Sequence, residues 1–156
     1  MTPLNLPSTE LKIIEKDGKQ VVFDVLRKKY VTLTPEEWVR QNFIHYLLEH
    51  KNYPKGLLAN EIQLELNGTN KRCDSVLFNR NLKAILIIEY KAPNIKITQK
   101  VFDQITRYNM VLKVDYLIVS NGINHYCCKI NYEKKTYTFL PDIPSYEELR
   151  KESRPD

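Results

Sequence analysis

Residues 72–91 constrain the fold more than any other stretch. Two apolar runs, Arg72-Cys-Asp-Ser-Val-Leu-Phe78 and Ala84-Ile-Leu-Ile-Ile-Glu-Tyr-Lys91, flank a short polar link containing Asn79 and Asn81. Runs of strand length on either side of such a link read as a β-hairpin. Inside it sit three charged residues, Asp74, Glu89 and Lys91. Side chains alternate faces along a strand, so Glu89 and Lys91 share a face, about 7 Å apart. A turn closed by Arg80 and Lys83 pairs Phe78 with Ile85 and sets Asp74 directly across from Glu89. Directly opposed residues have Cβ atoms about 5 Å apart, and like charges there destabilise the pair. Half-burial sharpens the conflict, because a carboxylate leaving water must find a partner.

Two arrangements relieve it. In one, Lys91 and Arg72 screen Asp74 and Glu89 in a salt cluster. In the other, the carboxylates hold a hard divalent cation such as Mg²⁺, which prefers carboxylate oxygens and keeps several of its waters. The charge pattern alone leaves both open.

At 156 residues the chain suits one domain with a single core and no need of disulfides. Its net charge of +5 suits a polyanionic partner without requiring one. Cys73, Cys127 and Cys128 lack metal-ligand spacing and lie in apolar runs, so buried reduced thiols are expected. No apolar run reaches transmembrane length, and the N-terminal residues show no signal-peptide pattern. The expectation is a cytoplasmic protein with no membrane contact.

Along the chain, residues 11–31 alternate around Asp17-Gly18, a hairpin signal, and should extend or cover the edge of the main sheet. Arg27-Lys28-Lys29 is a basic run that reads as a solvated strand end, with phosphate contact as the alternative. A helix begins at Thr34-Pro35-Glu36-Glu37, with Thr34 as N-cap and Glu37 closing a capping box, and its apolar stripe is Val39, Phe43, Tyr46 and Leu47. Residues 59–66 form a strand with Ile62, Leu64 and Leu66 on one face and Glu61 and Glu65 on the other, and Asn67-Gly68 turns it into the central hairpin. Ala92-Pro93 breaks the chain after Lys91. A second helix then runs from about Thr98 to Leu112 with Val101, Ile105, Tyr108 and Leu112 as its stripe. Residues 115–122 form another buried strand, which makes 85–119 a strand–helix–strand crossover between parallel strands. Two further strands follow, at 124–130 and 137–140. The predicted whole is an α/β fold with a mixed central sheet, flanking helices and an N-terminal hairpin, as a single domain over 1–141 with its core at about 34–130. Residues 142–156 are expected to be a charged tail or linker.

The spacing Asp74…Glu89-Tyr90-Lys91 resembles the Asp…Glu-x-Lys core of the PD-(D/E)xK nuclease superfamily. Thr34-Pro-Glu-Glu-Trp-Val-Arg40 and Gln104-x-x-x-Tyr108, in that order around the hairpin, narrow the likeness to the N-terminal nuclease domain of type I restriction enzyme R subunits. Cys73 stands where the superfamily has proline, and the GxxxxGK[ST] loop of an ATP-driven motor is missing.

The resemblance implies a restriction-endonuclease-like core and Mg²⁺-dependent DNA cleavage, with Mn²⁺ as a substitute. It implies that Asp74, Glu89 and the main-chain carbonyl of Tyr90 hold the metal, with Glu37 as a further ligand and Glu36 and Glu61 as alternatives to it. Lys91 would orient the attacking water and offset charge on the phosphate. Gln104 and Tyr108 would position metal ligands or the DNA backbone. Lys96, Lys100 and Arg107 flank them as phosphate contacts, which fix register without reading sequence. Partners implied are DNA and, by analogy, motor, methyltransferase or specificity subunits. Two other classes remain open: a non-cutting DNA- or protein-binding module, and another nuclease of the superfamily, such as a resolvase or RecB-like exonuclease.

Overall fold

The computed structural model describes residues 1–152. It contains two sheets. Strands β1 (Ile13–Lys16), β2 (Lys19–Asp24) and β3 (Lys29–Thr32) make a three-stranded antiparallel sheet of their own. The N-terminal hairpin therefore does not extend the main sheet. A third strand follows it because Asp24 turns the chain, its Oδ1 accepting the Leu26 and Arg27 amides at 2.7 and 2.9 Å.

The main sheet has the order β4-β5-β6-β7-β8-β9, built from β4 (Leu58–Leu66), β5 (Thr69–Phe78), β6 (Ala84–Tyr90), β7 (Tyr116–Ser120), β8 (His125–Asn131) and β9 (Thr136–Phe139). Only β6 and β7 run parallel, as the crossover expectation requires. Asn67 and Gly68 both adopt positive φ, 51° and 80°, which suits the two-residue turn joining β4 to β5.

Helix α1 (Pro35–His50) packs on one face of this sheet and α2 (Gln99–Met110) on the other. Val39, Phe43, Ile44 and Leu47 of α1 share a core with Leu77, Leu86, Ile88 and Tyr90. Phe102 of α2 lies with Cys73, Val76, Ile87 and Val119 in the second core. The three cysteines are buried and unpaired in disulfides, and burial raises their thiol pKa values.

Two local expectations are corrected. The β5–β6 turn is closed by Asn79 and Lys83, not by Arg80 and Lys83. Asn79 Oδ1 accepts the Asn81 and Lys83 amides at 2.9 and 3.0 Å, which widens the loop and shifts Phe78 onto Ala84 instead of Ile85. Helix α2 is also rotated from its expected stripe. It buries Phe102, Thr106 and Asn109, and Tyr108 is 46% exposed. Thr106 and Asn109 can face inward because each returns a hydrogen bond to its own helix, to the carbonyls of Phe102 and Ile105 at 2.9 Å.

After 141 the sequence suggests a tail, yet helix α3 (Tyr146–Glu152) follows and Ile143 and Leu149 are buried in the α1-side core. Tyr53 anchors this segment through its hydroxyl, which donates to the Pro144 carbonyl at 2.9 Å. The periodicity of so short a helix, with Leu149 as its buried core residue and Ile143 lying before it, is hard to read in sequence. Residues 153–156 of the expected tail lie outside the described residues.

Candidate active site

The β5–β6 register pairs Ser75 with Ile88 and Val76 with Ile87, and continuing it by one residue sets Asp74 opposite Glu89. Asp74 Oδ2 accepts the Tyr90 main-chain amide at 2.9 Å, so the Asp74 carboxylate lies against the strand that carries Glu89. Glu89 is held in its charge-averse position on three counts. Burial comes first, then the Asp74 charge and a hydrogen bond shared with Asp74, and together they push the Glu89 carboxyl up to about 8. Lys91 and a hydrogen bond from the Asn109 side chain act against that rise without cancelling it. Lys91 is itself fixed at the strand end, its amide donating to the Ser120 carbonyl at 2.9 Å.

A salt cluster would have paired both carboxylates with Lys91 and Arg72 and kept both ionised. Instead, Arg72 is 61% exposed and bonds Glu61 at 2.7 Å, and burial with the Asp74 charge keeps the Glu89 carboxyl above its ordinary range despite Lys91. The carboxylate pair is thus under-compensated.

How Asp74 comes to face Glu89 depends on a break in strand alternation. On β4, Leu58 and Asn60 point to the α1 side, whereas Ile62 and Leu64 point to the α2 side. On β5, Ser75 and Leu77 lie on the α1 side and Cys73 on the α2 side. Both strands change phase at Glu61 and Asp74, which are opposite each other in the register. Glu61 has φ of 54°, a left-handed conformation that a non-glycine residue seldom adopts inside a strand.

Arg40 clamps this break from α1. Its Nη1 donates to the Asp74 main-chain carbonyl at 2.9 Å and pairs with Glu61 Oε1 at 2.8 Å. Its Nε and Nη2 grip both oxygens of Glu37 at 2.9 Å. Arg27 and Gln41 complete the shell around Glu37, each at 2.8 Å. Burial alone would raise the Glu37 carboxyl; the bonds and charge of Arg40, with Gln41 and Arg27, hold it below the ordinary range. A second buried chain runs Asp24–Asn60–Ser75–Tyr90, with bonds of 2.9, 2.6 and 2.9 Å.

The residues expected at the site therefore fall into groups. Asp74, Glu89, Tyr90 and Lys91 are brought together. The Thr34 N-cap forms, accepting the Glu37 amide at 3.0 Å, but the Glu37 carboxylate bonds arginines and Gln41 instead of closing a capping box. Glu36 is exposed. Gln104 and Tyr108 are exposed on α2, and Lys71 Nζ sits 4.0 Å from the Tyr108 ring centroid. Lys96, Lys100 and Arg107 are exposed. Among the described residues no group of three or more His, Cys, Asp or Glu side chains converges.

Sequence reading misses Arg40 and Asn109. Arg40 looks like one more helix cation, although its place three residues after Glu37 allows an i,i+3 pair. Asn109 follows Tyr108 directly, and only the rotation of α2 reveals that it reaches Glu89.

A six-stranded mixed sheet with a helix on each face, carrying a half-buried Asp/Glu pair beside a lysine, defines a restriction-nuclease-like domain. The chain belongs to the family described as type I restriction enzyme R protein N terminus (HSDR_N), whose profile matches residues 35–144. A fragment from Vibrio vulnificus YJ016, assigned as an HsdR subunit of a type I restriction enzyme, shares the fold. It superposes with a TM-score of 0.54 at 20% identity, over 76% of this chain and 25% of that one. A weaker likeness, TM-score 0.46 at 18% identity, covers 78% of this chain and 12% of DrdV in its DNA complex. The chain thus spans about a quarter or less of the length of these structures. Comparison with curated proteins gives no match. Among the described residues no helix is long and apolar enough to cross a membrane.

Proposed function

We propose that this chain is a divalent-metal-dependent DNA endonuclease domain of the type I restriction R kind. The observation that carries the reading is the Asp74–Glu89 pair: two adjacent, half-buried carboxyl groups, the Glu89 carboxyl raised by burial and by Asp74, with Lys91 alongside. Such a pair is costly unless a cation neutralises it, and hard oxygen donors suit Mg²⁺.

Asp74, Glu89 and the Tyr90 carbonyl would hold Mg²⁺, which when bound supplies Lewis-acid polarisation of the scissile phosphate. The chain's own groups have distinct tasks. The Tyr90 amide and Arg40, acting on the carboxylate and the carbonyl of Asp74 respectively, fix that ligand. Asn109 orients Glu89 from α2. Lys91 orients the attacking water and offsets charge developing on the phosphate. Glu37, engaged by Arg27, Arg40 and Gln41, sets the Arg40 clamp. That makes it a positioning residue, with direct metal ligation requiring that shell to open.

Lys96, Lys100 and Arg107 would contact phosphates, and Gln104 and Tyr108, open to solvent, would meet the DNA backbone. Motor, methyltransferase or specificity subunits are the proposed partners. One observation favours the non-cutting module: among the described residues no group of three or more acidic, His or Cys side chains converges on the pair. Mg²⁺-dependent nicking of supercoiled plasmid by the wild type, lost in Lys91→Ala, separates the two. Activity absent from both proteins while DNA binding persists would leave the module.

A further inference from the structure

The face that carries α2 has a second feature, which the cleavage chemistry does not use. Phe102, Tyr126, Tyr137 and Phe139 form one aromatic cluster, with Phe102–Phe139 ring centroids 4.9 Å apart and Phe102–Tyr126 and Tyr126–Phe139 both 6.2 Å apart. Phe102 is buried, yet Tyr126 is 36% and Phe139 44% exposed. Both open into a shallow cavity of about 140 Å³, whose other walls are Ile97, Thr98 and Gln99.

The cavity's surroundings identify its occupant. Ile97–Gln99 is bracketed in the chain by Lys96 and Lys100, both exposed. Asp103 of α2 is engaged by the Tyr137 hydroxyl and by the Gln99 amide at 3.0 Å, and its carboxyl is held below the usual range by those bonds. A strand of phosphates meets Lys96 and Lys100, and the Asp103 charge has Arg107 on the same helix to offset it. An apolar protein segment would leave both lysines unmatched. Tyr126 pairs with Val119, which pairs with Glu89, so the cavity stands in the same row of the sheet, two strands from the carboxylate pair.

We infer that this cavity is a stacking site for an unpaired nucleobase of single-stranded DNA. Tyr126 and Phe139 supply the ring faces, and Lys96 and Lys100 hold the flanking phosphates. Stacking on aromatic side chains is sequence-tolerant because every base has a π-face. The inference rests on the DNA reading above and gives it a preference for melted or single-stranded DNA near the cut.

The test is anisotropy binding in metal-free buffer with three labelled probes of one length: a thymidine oligonucleotide, an abasic strand of equal charge, and a duplex. The key variant is Tyr126→Leu/Phe139→Leu, which keeps apolar packing on Phe102 and removes the stacking faces. A Lys100→Ala/Arg107→Ala variant serves as the electrostatic control. Stacking is worth about 1–3 kcal/mol per base, so wild type should prefer the thymidine strand to the abasic one by roughly tenfold. The double-leucine variant should lose that preference with an unchanged salt slope, whereas the control variant flattens the slope and keeps the preference. If wild type binds the abasic strand as tightly as the thymidine strand, or the double-leucine variant retains the preference, the site is overturned. If no probe binds wild type, the DNA reading itself falls, which is a separate outcome.

Discussion

The main-chain amide of Tyr90 donates to the carboxylate of Asp74 at 2.9 Å, across the pair of strands that also carries Glu89. That bond draws one carboxylate onto the strand of the other, and burial with the Asp74 charge then raises the Glu89 carboxyl. Neutralising that pair with a cation is the step on which the account depends.

Metal affinity should follow pH accordingly. With Glu89 near 8 in the metal-free protein, Mn²⁺ must compete with a proton at neutral pH. Titration calorimetry is expected to show affinity rising by up to about tenfold per pH unit below 8 and levelling above it. Release of about one proton per ion should accompany binding at pH 7. Asp74→Ala should abolish the site, and equal Mn²⁺ binding by variant and wild type would remove Asp74 from it.

Stability without metal should have opposite slopes on its two sides. Glu89 has a raised folded pKa, so the folded state binds the extra proton and stability falls as pH climbs from about 4.5 to about 8, by at most about 1.4 kcal/mol per unit. Asp24, Glu37 and Glu61 have lowered folded pKa values, so their contribution is present above their unfolded values near 4 and lost as pH falls below. Thermal melts from pH 3 to 9 should therefore peak on the mildly acidic side, and saturating Mn²⁺ should remove the alkaline decline. In Asp74→Asn the alkaline decline should shrink, because the charge that helps raise Glu89 is gone.

Arg40 should act on the metal site as well as on folding. Arg40→Ala leaves Glu37 buried with fewer partners and should cost about 3 kcal/mol. Arg40→Lys keeps the charge but cannot bridge Glu37, Glu61 and the Asp74 carbonyl together. It is expected to fold, with Mn²⁺ affinity reduced by roughly tenfold as Asp74 loosens. Wild-type Mn²⁺ affinity in a folded Arg40→Lys protein would reduce the clamp to a structural ion pair.

Duplex binding should weaken steeply with salt through counterion release. Lys100→Ala/Arg107→Ala should lower affinity and flatten the plot of log affinity against log salt by about two units of counterion count. An unaltered slope would place the phosphate contacts elsewhere on the surface.

The fold was legible where local chemistry decides it. Thr34 and Thr98 cap their helices, Asp17-Gly18 and Asn67-Gly68 take the left-handed turns, and the Val/Ile/Leu runs become the central strands. Within the candidate site, Asp74 faces Glu89 as the counted register has it, but only because the irregularity between Leu77 and Phe78 offsets the wider turn. What escaped depends on tertiary choices. Helix α2 buries Thr106 and Asn109 because intrahelical bonds hide their polarity, which a hydrophobic stripe cannot show. The change of phase at Glu61 and Asp74 defeats strict alternation, since a strained glutamate has no marker comparable to glycine. Arg40 became visible as a hub only when three elements converged on it.

The central claim is that Asp74, Glu89 and Lys91 form a cutting centre and not a stabilising cluster, and Lys91→Ala tests it most directly. The measurement is plasmid nicking with Mg²⁺ and with Mn²⁺, alongside thermal melts, Mn²⁺ titration and DNA binding on the same samples. The nuclease account predicts a protein that melts within a few degrees of wild type and still binds metal and DNA, while cleavage falls by orders of magnitude. A markedly lowered melting temperature with cleavage undiminished, or wild type inert with both metals while DNA binding persists, would contradict it.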